Sequence, residues 1–262
     1  MSHIYQPSGR AAEYSPFAIN NFTGCSHDCT YCWARGLGKR RNKHYVHTDV
    51  HLQKVTPESI RKDCIKHAGM PDQVLLSFTT DCYMNGFDTS LTTFTLEQML
   101  EHRIPVAVLT KSPRNAVKDF PLMAQFGPSL IFGTTITTMK NYAIEEPHAD
   151  SPRQRINAMA KAKEHGIPTW LSMEPAFSVE EGLEIIRQTA HVIDRYRVGK
   201  MNYRALPVDW TEYVVEISRS LRKLHKPFYV KNDLAAFAPE GFLTVDERDP
   251  RRLDAEPFVS HR

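Results

Sequence analysis

The sequence predicts an α/β domain built as a partial (β/α) barrel of about six to seven βα units. Three observations carry this. Short apolar runs rich in β-branched residues recur along the chain, amphipathic helical stretches lie between them at a spacing of roughly 25 to 40 residues, and polar residues gather just after the apolar runs. The chain of 262 residues, 41% hydrophobic, is long enough for one barrel-sized core.

Taken in order, strands are expected at 17–21, 74–78, 106–109, 130–135, 169–173, 192–198 and 228–230, because each is a short run with no helical period. Helices are expected near 57–68, 95–103, 113–125, 152–165, 178–190 and 210–225. Pro57 suits a first helical position after Thr56, Ser178 with Glu181 reads as a capping box, and Gly166 before Pro168 ends the fourth helix. Residues 1–239 read as a single domain, and 240–262 lose the pattern and read as an irregular tail lying on the surface or mobile. No run approaches the ~18 apolar residues that span a bilayer, and the opening MSHIYQPSGR lacks a signal-peptide core, so a soluble, cytoplasmic protein with no membrane partner is expected.

The net charge is +3, from 33 basic and 30 acidic residues, which excludes the overall basicity of many nucleic-acid binders. Locally, Arg35, Lys39, Arg40, Arg41, Lys43 and His44 form a basic run that either meets phosphates or faces water.

In a barrel of this kind chemistry sits where strands end. The residues there are Thr79, Thr80 and Asp81; Thr110, Lys111 and Ser112; Thr135, Thr137 and Thr138; Glu174; Lys200 and Asn202; and Lys231, Asn232 and Asp233, which together imply one polar pocket. Among aromatic residues, Tyr83 and Tyr203 follow strand ends and are the candidates for stacking on a base; Phe87, Trp170, Phe177 and Trp210 read as packing.

Three of the five cysteines, Cys25, Cys29 and Cys32, stand in GCSHDCTYCWAR as C-x3-C-x2-C after the first expected strand. Clustered thiols in a reducing compartment point to metal, either an iron–sulfur cluster or zinc. A structural zinc needs a fourth ligand: His27 is badly placed, and His44 and His47 are an irregular choice. That alternative is a zinc-stapled interaction protein. Cys64 lies inside an expected helix and reads as packing; Cys82 is expected at the rim of the pocket, as a hydrogen donor, a substrate contact or a small buried residue.

This motif, with Tyr31 before its third cysteine, resembles the signature of radical S-adenosylmethionine (radical SAM) enzymes, and GCSHDCTYCWAR is similar to the form found in their spore photoproduct lyase-like branch, with Trp33 where tyrosine is usual. SFTTDCY, VLTKSP and EEPHADSPRQRINAMAKAKEHGIP resemble further segments of that branch, over residues 19 to 175. The resemblance implies a partial barrel with the cluster loop after its first strand. It implies a 4Fe-4S cluster on Cys25, Cys29 and Cys32, and S-adenosylmethionine held by Tyr31, Lys111, Ser112, Thr135 or Thr137, and Arg155. It also implies reductive cleavage to a 5'-deoxyadenosyl radical, fed by an external one-electron donor such as flavodoxin or ferredoxin. Where the repair enzymes carry a hydrogen-donating cysteine this chain has Phe78, which argues against photoproduct repair.

Two enzymatic readings follow. One is chemistry on a thymine-derived or modified pyrimidine in DNA or a nucleotide, as a lyase or as a radical isomerase in base hypermodification. Asp81, Cys82 and Tyr83 are then the catalytic candidates, and Glu174, Lys200, Asn202, Tyr203, Lys231 and Asp233 grip the substrate. The other is radical chemistry on a small metabolite or peptide, which forbids nucleic-acid affinity with steep salt dependence.

Overall fold

The computed structural model describes residues 3–52 and 55–259. The extremes of the expected domain and tail, residues 1–2 and 260–262, and the Arg41 side chain lie outside what is described.

The strands are β1 (Phe17–Ile19), β2 (Phe22–Thr23), β3 (His51–Leu52), β4 (Val74–Leu76), β5 (Val106–Thr110), β6 (Leu130–Thr135), β7 (Thr169–Met173), β8 (Arg195–Val198) and β9 (Phe228–Val230). The helices are α1 (Trp33–Arg41), α2 (Pro57–Lys66), α3 (Ser90–Glu101), α4 (Phe120–Met123), α5 (Tyr142–Glu145), α6 (Pro152–Glu164), α7 (Val179–Thr189), α8 (Trp210–Lys223), α9 (Asn232–Ala235) and α10 (Val245–Arg248). Seven strands form one sheet in the order β1-β4-β5-β6-β7-β8-β9, every neighbouring pair parallel, while β2 and β3 form a small antiparallel ribbon. Among the described residues β1 and β9 are not paired, so the barrel is open. No helix among them is long and apolar enough to cross a membrane.

The seam between β1 and β9 is closed by side chains. Glu13 Oε2, just before β1, accepts hydrogen bonds from the Tyr229 hydroxyl (2.6 Å) and the Asn232 amide (2.8 Å). The Arg197 guanidinium donates to the Glu13 carbonyl (2.6 Å) and to Asp254 (2.6 Å).

The core lies mainly between the sheet and its helices, where β-branched and aromatic side chains such as Val106, Val108, Phe132 and Ile217 are sealed from water. A smaller cluster fills the barrel interior: Tyr14, Ala18, Leu75, Ala107, Ile131, Trp170 and Ala255. Trp170 is its plug, fully buried, with its indole N–H donating to the Val108 carbonyl at 3.1 Å. Truncating an aromatic of that size costs about 3–5 kcal/mol.

The expected elements stand, with strands 17–21, 74–78 and 192–198 shortened to β1, β4 and β8 and with the following further differences. The helix expected at 113–125 is broken into a 3-10 turn (Pro113–Asp119), α4 and a second 3-10 turn, because Pro121 and Pro128 withhold backbone donors and Gly127 has φ +57°. The helix expected from 95 begins at Ser90, whose amide is taken by Asp88 at 2.8 Å. The basic run after the cysteines is the helix α1, despite Gly36 and Gly38; a side chain at Gly38 would collide with the Tyr45 ring. The expected irregular tail carries α10 and a 3-10 turn, and it is docked: Leu253 and Ala255 are buried and Asp254 also accepts from Gln73 at 2.8 Å. Ser178 caps α7 as expected, but the Glu181 carboxylate turns to Thr138 and the Met139 amide instead of closing a capping box.

Candidate active site

The carboxyl ends of the strands surround a cavity of about 330 Å³. The cysteine loop forms one side of it. Gly24 enters the loop at φ +81°, and a Cβ there would lie 2.6 Å from the Asp49 carbonyl and 2.8 Å from that of His47, so the close approach requires glycine. The loop is pinned by Cys25 N–H to the His47 carbonyl (2.7 Å), Thr80 hydroxyl to the Gly24 carbonyl (2.5 Å) and Thr30 N–H to the Glu145 carbonyl (3.0 Å).

Cys25, Cys29 and Cys32 are unbridged and all face the cavity. Burial pushes the Cys25 thiol well above its ordinary range and the Cys29 thiol up to about 12, so their thiolates need a cation to compensate them. Among the described residues no group of three or more His, Cys, Asp or Glu side chains is gathered to hold one metal ion. Three thiols on one loop, open on their cavity side, fit a polynuclear iron–sulfur group that keeps one position for a small ligand.

Asp81, after β4, ties this loop to the sheet. Its Oδ2 lies 3.1 Å from His27 Nε2 and accepts the Lys111 amide at 2.7 Å; its Oδ1 accepts the Thr110 hydroxyl (2.7 Å) and the Tyr83 amide (2.8 Å). Burial opposes its ionisation, but His27 and the two amides outweigh this and hold the carboxyl at about 2.

On the adjoining wall Glu146 is the hub. Buried, it accepts from Tyr31 and Thr137, pairs with Arg155 at 2.5 Å, and lies 4.0 Å from the Lys111 ammonium. Lys111 sits 5.6 Å over the Tyr31 ring. Burial alone would lower the Lys111 pKa; Cys29 and Glu146 reverse that and raise it, so the ammonium stays charged.

The opposite wall is built on Glu174. Its Oε2 accepts both the Tyr14 hydroxyl (2.5 Å) and the Lys231 ammonium (2.7 Å), and Lys231 lies 4.5 Å over the Tyr14 ring. Burial, then Glu174, pushes the Tyr14 phenol well above its ordinary value. At the rim, Arg10 pairs with Asp233 (3.1 Å) and stacks over Tyr203 (5.2 Å), and Lys200 lies against Trp210 and Phe237.

Of the eighteen residues assigned a metal, cofactor, catalytic or substrate role, the cavity brings together twelve, Cys25, Cys29, Cys32, Tyr31, Asp81, Lys111, Thr135, Glu174, Lys200, Asn202, Tyr203 and Lys231, and it is also lined by the strand-end residues Thr79, Thr80 and Thr110. Six others do not line it. Cys82 is fully buried, its thiol directed at the Leu76 and Leu109 carbonyls, because the turn closed by Asp81 folds it back on the sheet. Tyr83 is buried with its hydroxyl on Asp119 (2.8 Å). Ser112 is sealed, Thr137 and Arg155 stand behind Glu146, and Asp233 is engaged by Arg10.

Sequence reasoning missed Tyr14, Arg10, Ser172 and Glu146 as site residues. Glu146 lies within EEPHADSPRQR and is followed by a proline; Tyr14 and Arg10 precede the first strand, where no strand-end rule applies. Phe78 lines the cavity between Trp33 (5.2 Å) and Tyr14 (6.1 Å).

A parallel open barrel whose cysteine loop and polar strand ends face one cavity defines a class, and residues 19–174 match the family model of the radical SAM superfamily. The chain belongs to that superfamily, whose members use a 4Fe-4S cluster and S-adenosylmethionine. Its fold is that of the spore photoproduct lyases: one such lyase, a mutant, superposes with a TM-score of 0.67 at 12% identity, over 88% of this chain and 79% of that one, and another, complexed with dinucleoside spore photoproduct, with a TM-score of 0.66 at 14% identity, over 87% and 78%. Streptococcus suis SuiB bound to S-adenosylmethionine superposes with a TM-score of 0.62 at 13% identity, over 87% of this chain and 53% of that one. In sequence, the chain is 26% identical to an uncharacterised protein of Methanocaldococcus jannaschii over 72% of its length and 71% of the relative's. It is also 26% identical to an uncharacterised protein of Acidianus two-tailed virus, over 75% and 70%.

Proposed function

We propose that the chain cleaves S-adenosylmethionine reductively and directs the radical at a thymine-derived or otherwise modified pyrimidine in DNA or a nucleotide, as an isomerase of base modification. The observation that carries the reading is that three free thiols and the charged strand ends open onto one cavity which contains no other thiol among the described residues. Cys25, Cys29 and Cys32 hold the 4Fe-4S cluster, which supplies the electron that splits S-adenosylmethionine into methionine and a 5'-deoxyadenosyl radical.

The chain's residues bind and orient. Lys111, kept cationic, meets the methionine carboxylate, Tyr31 packs beside the adenine, and Thr135 donates to the ribose. Glu146 and Arg155 fix Tyr31 and Lys111 from behind. Asp81 has every oxygen engaged and positions the cluster loop through His27. Glu174, Lys231, Lys200, Asn202 and Tyr203 face the substrate: Lys200 and Lys231 offer cationic donors to its phosphate or carboxylate, and Glu174 accepts from its N–H groups. Phe78 and Trp33 make the wall between the two halves apolar, which excludes water from the radical. With Phe78 in place of a thiol and Cys82 sealed, no sulfur donor reaches a substrate radical, which favours returning the hydrogen from 5'-deoxyadenosine over the repair reaction.

The test is anaerobic reconstitution, iron and sulfide analysis, and assay of 5'-deoxyadenosine after dithionite reduction, followed by incubation with oligonucleotides and nucleotides carrying 5-substituted pyrimidines. Four irons lost in Cys29→Ala, and a rearranged base with S-adenosylmethionine recycled, is the expected result. Zinc in place of iron overturns the reaction class; cleavage that responds only to peptides or small metabolites overturns the substrate.

A further inference from the structure

Radical chemistry of this kind needs one electron from outside, and the cavity side of the cysteine loop is taken by cofactor and substrate. The other side of the loop is wrapped by residues 42–52. His47, which also lines the cavity, joins that segment to the motif: Nε2 lies 3.4 Å from Cys32 Sγ, and Nδ1 is held by the Tyr45 hydroxyl at 2.8 Å, whose ring packs where Gly38 leaves room. A single imidazole therefore joins an outer segment to a cysteine of the motif.

The surface over that bridge is distinctive. Lys39 and Arg40 at the end of α1, with Lys43 and His44 after it, are exposed, and Lys39, Arg40 and Lys43 have no ion-pair partner among the described residues. Of the two acidic residues between 28 and 52, Asp28 is spent on Arg35 and only Asp49 is left. In the segment that follows these cations Val46 is 58% exposed and Leu52 54%. The helix dipole accounts for cations in the last turn of α1 but neither for Lys43 nor for two bare apolar side chains. Unpaired exposed cations together with exposed apolar side chains on one short segment are the makings of a transient docking site.

We infer that this face, α1 and residues 43–52, docks an acidic one-electron carrier protein, with His47 joining that segment to Cys32 of the motif. The step balances simply: the carrier loses one electron, the cluster gains it, and no bond or proton moves. The inference rests on the radical chemistry above but not on its substrate.

The test compares two reductants on the reconstituted holoenzyme, reduced flavodoxin and dithionite, with 5'-deoxyadenosine as readout. The charge-reversed variant Lys39→Glu/Arg40→Glu/Lys43→Glu is expected to lose about tenfold in the flavodoxin-driven rate at low salt and to lose its salt dependence, with the dithionite-driven rate unchanged. Val46→Ser/Leu52→Ser, which leaves the charges in place, is expected to weaken the flavodoxin-driven rate alone and serves if the first variant does not take up iron. Equal flavodoxin-driven rates in variant and parent overturn the inference, and so does an equal fall with both reductants. An unchanged flavodoxin rate with weakened retention of duplex DNA overturns it in favour of a phosphate-binding role for α1. Absence of any cleavage by the parent under dithionite would instead sink the radical reading itself.

Discussion

His27 Nε2 lies 3.1 Å from Asp81 Oδ2, both side chains buried, so a residue between two cysteines of the motif brings the cysteine loop against the end of β4. The carboxyl of Asp81 is held at about 2 against an ordinary 3.8. A carboxyl depressed in the fold adds stability above its unfolded pKa and loses it as pH falls through the folded one. About 2 kcal/mol is therefore expected to disappear between roughly pH 4 and pH 2. Asp81→Asn removes that acid-sensitive component. It should flatten the pH dependence of denaturant unfolding over this window and lower the iron retained after reconstitution. An unaltered profile would show that the contact does not fasten the loop.

Glu146→Gln leaves the Arg155 guanidinium buried without its charge partner. A loss of about 3–5 kcal/mol is expected in urea unfolding. Since Tyr31 and Lys111 lean on the same carboxylate, the KM for S-adenosylmethionine should rise with it.

Gly133→Ala places a methyl group against the Trp170 indole. Overpacking of this kind costs about 1–3 kcal/mol. Trp170→Phe in the same chain should recover part of that in a double-mutant cycle, whereas additive losses would show that the two sites are not in contact.

Gly199→Ala would set a Cβ 2.8 Å from the Glu174 carboxyl carbon. Displacing Glu174 separates it from Tyr14 and Lys231 without touching the cofactor wall. Substrate turnover is expected to fall about tenfold or more, as for a misplaced binding group, while 5'-deoxyadenosine still forms at the parent rate in the absence of substrate.

Cys82→Ala should leave 5'-deoxyadenosine formation unchanged and cost about 1 kcal/mol of stability, the price of a small buried side chain. Loss of turnover at full stability would return Cys82 to the chemistry.

The strands, the cysteine motif and twelve of the cavity residues were legible because each is a local pattern: an apolar run, a spacing, a polar residue at a strand end. The direction in which a residue points after the strand was not. Tyr83 N–H closes a turn onto the Asp81 carboxylate two residues back, and that one bond sends Cys82 and Tyr83 into the core. Tyr14 reaches Glu174 across 160 positions, a contact that no local signal encodes. Gly and Arg in the basic run hid α1, whose helix is supported by Tyr45 from the following segment rather than by propensity.

The seam at Glu13 carries a consequence for how this fold changes over generations. A strand ladder must be re-registered as a whole, whereas contacts such as Glu13 with Tyr229 and Arg10 with Asp233 can be respelled one codon at a time. The aperture between the first and last strands is therefore the part of the barrel that selection can widen or narrow most cheaply, leaving the cysteine loop and its chemistry untouched while new molecules are admitted.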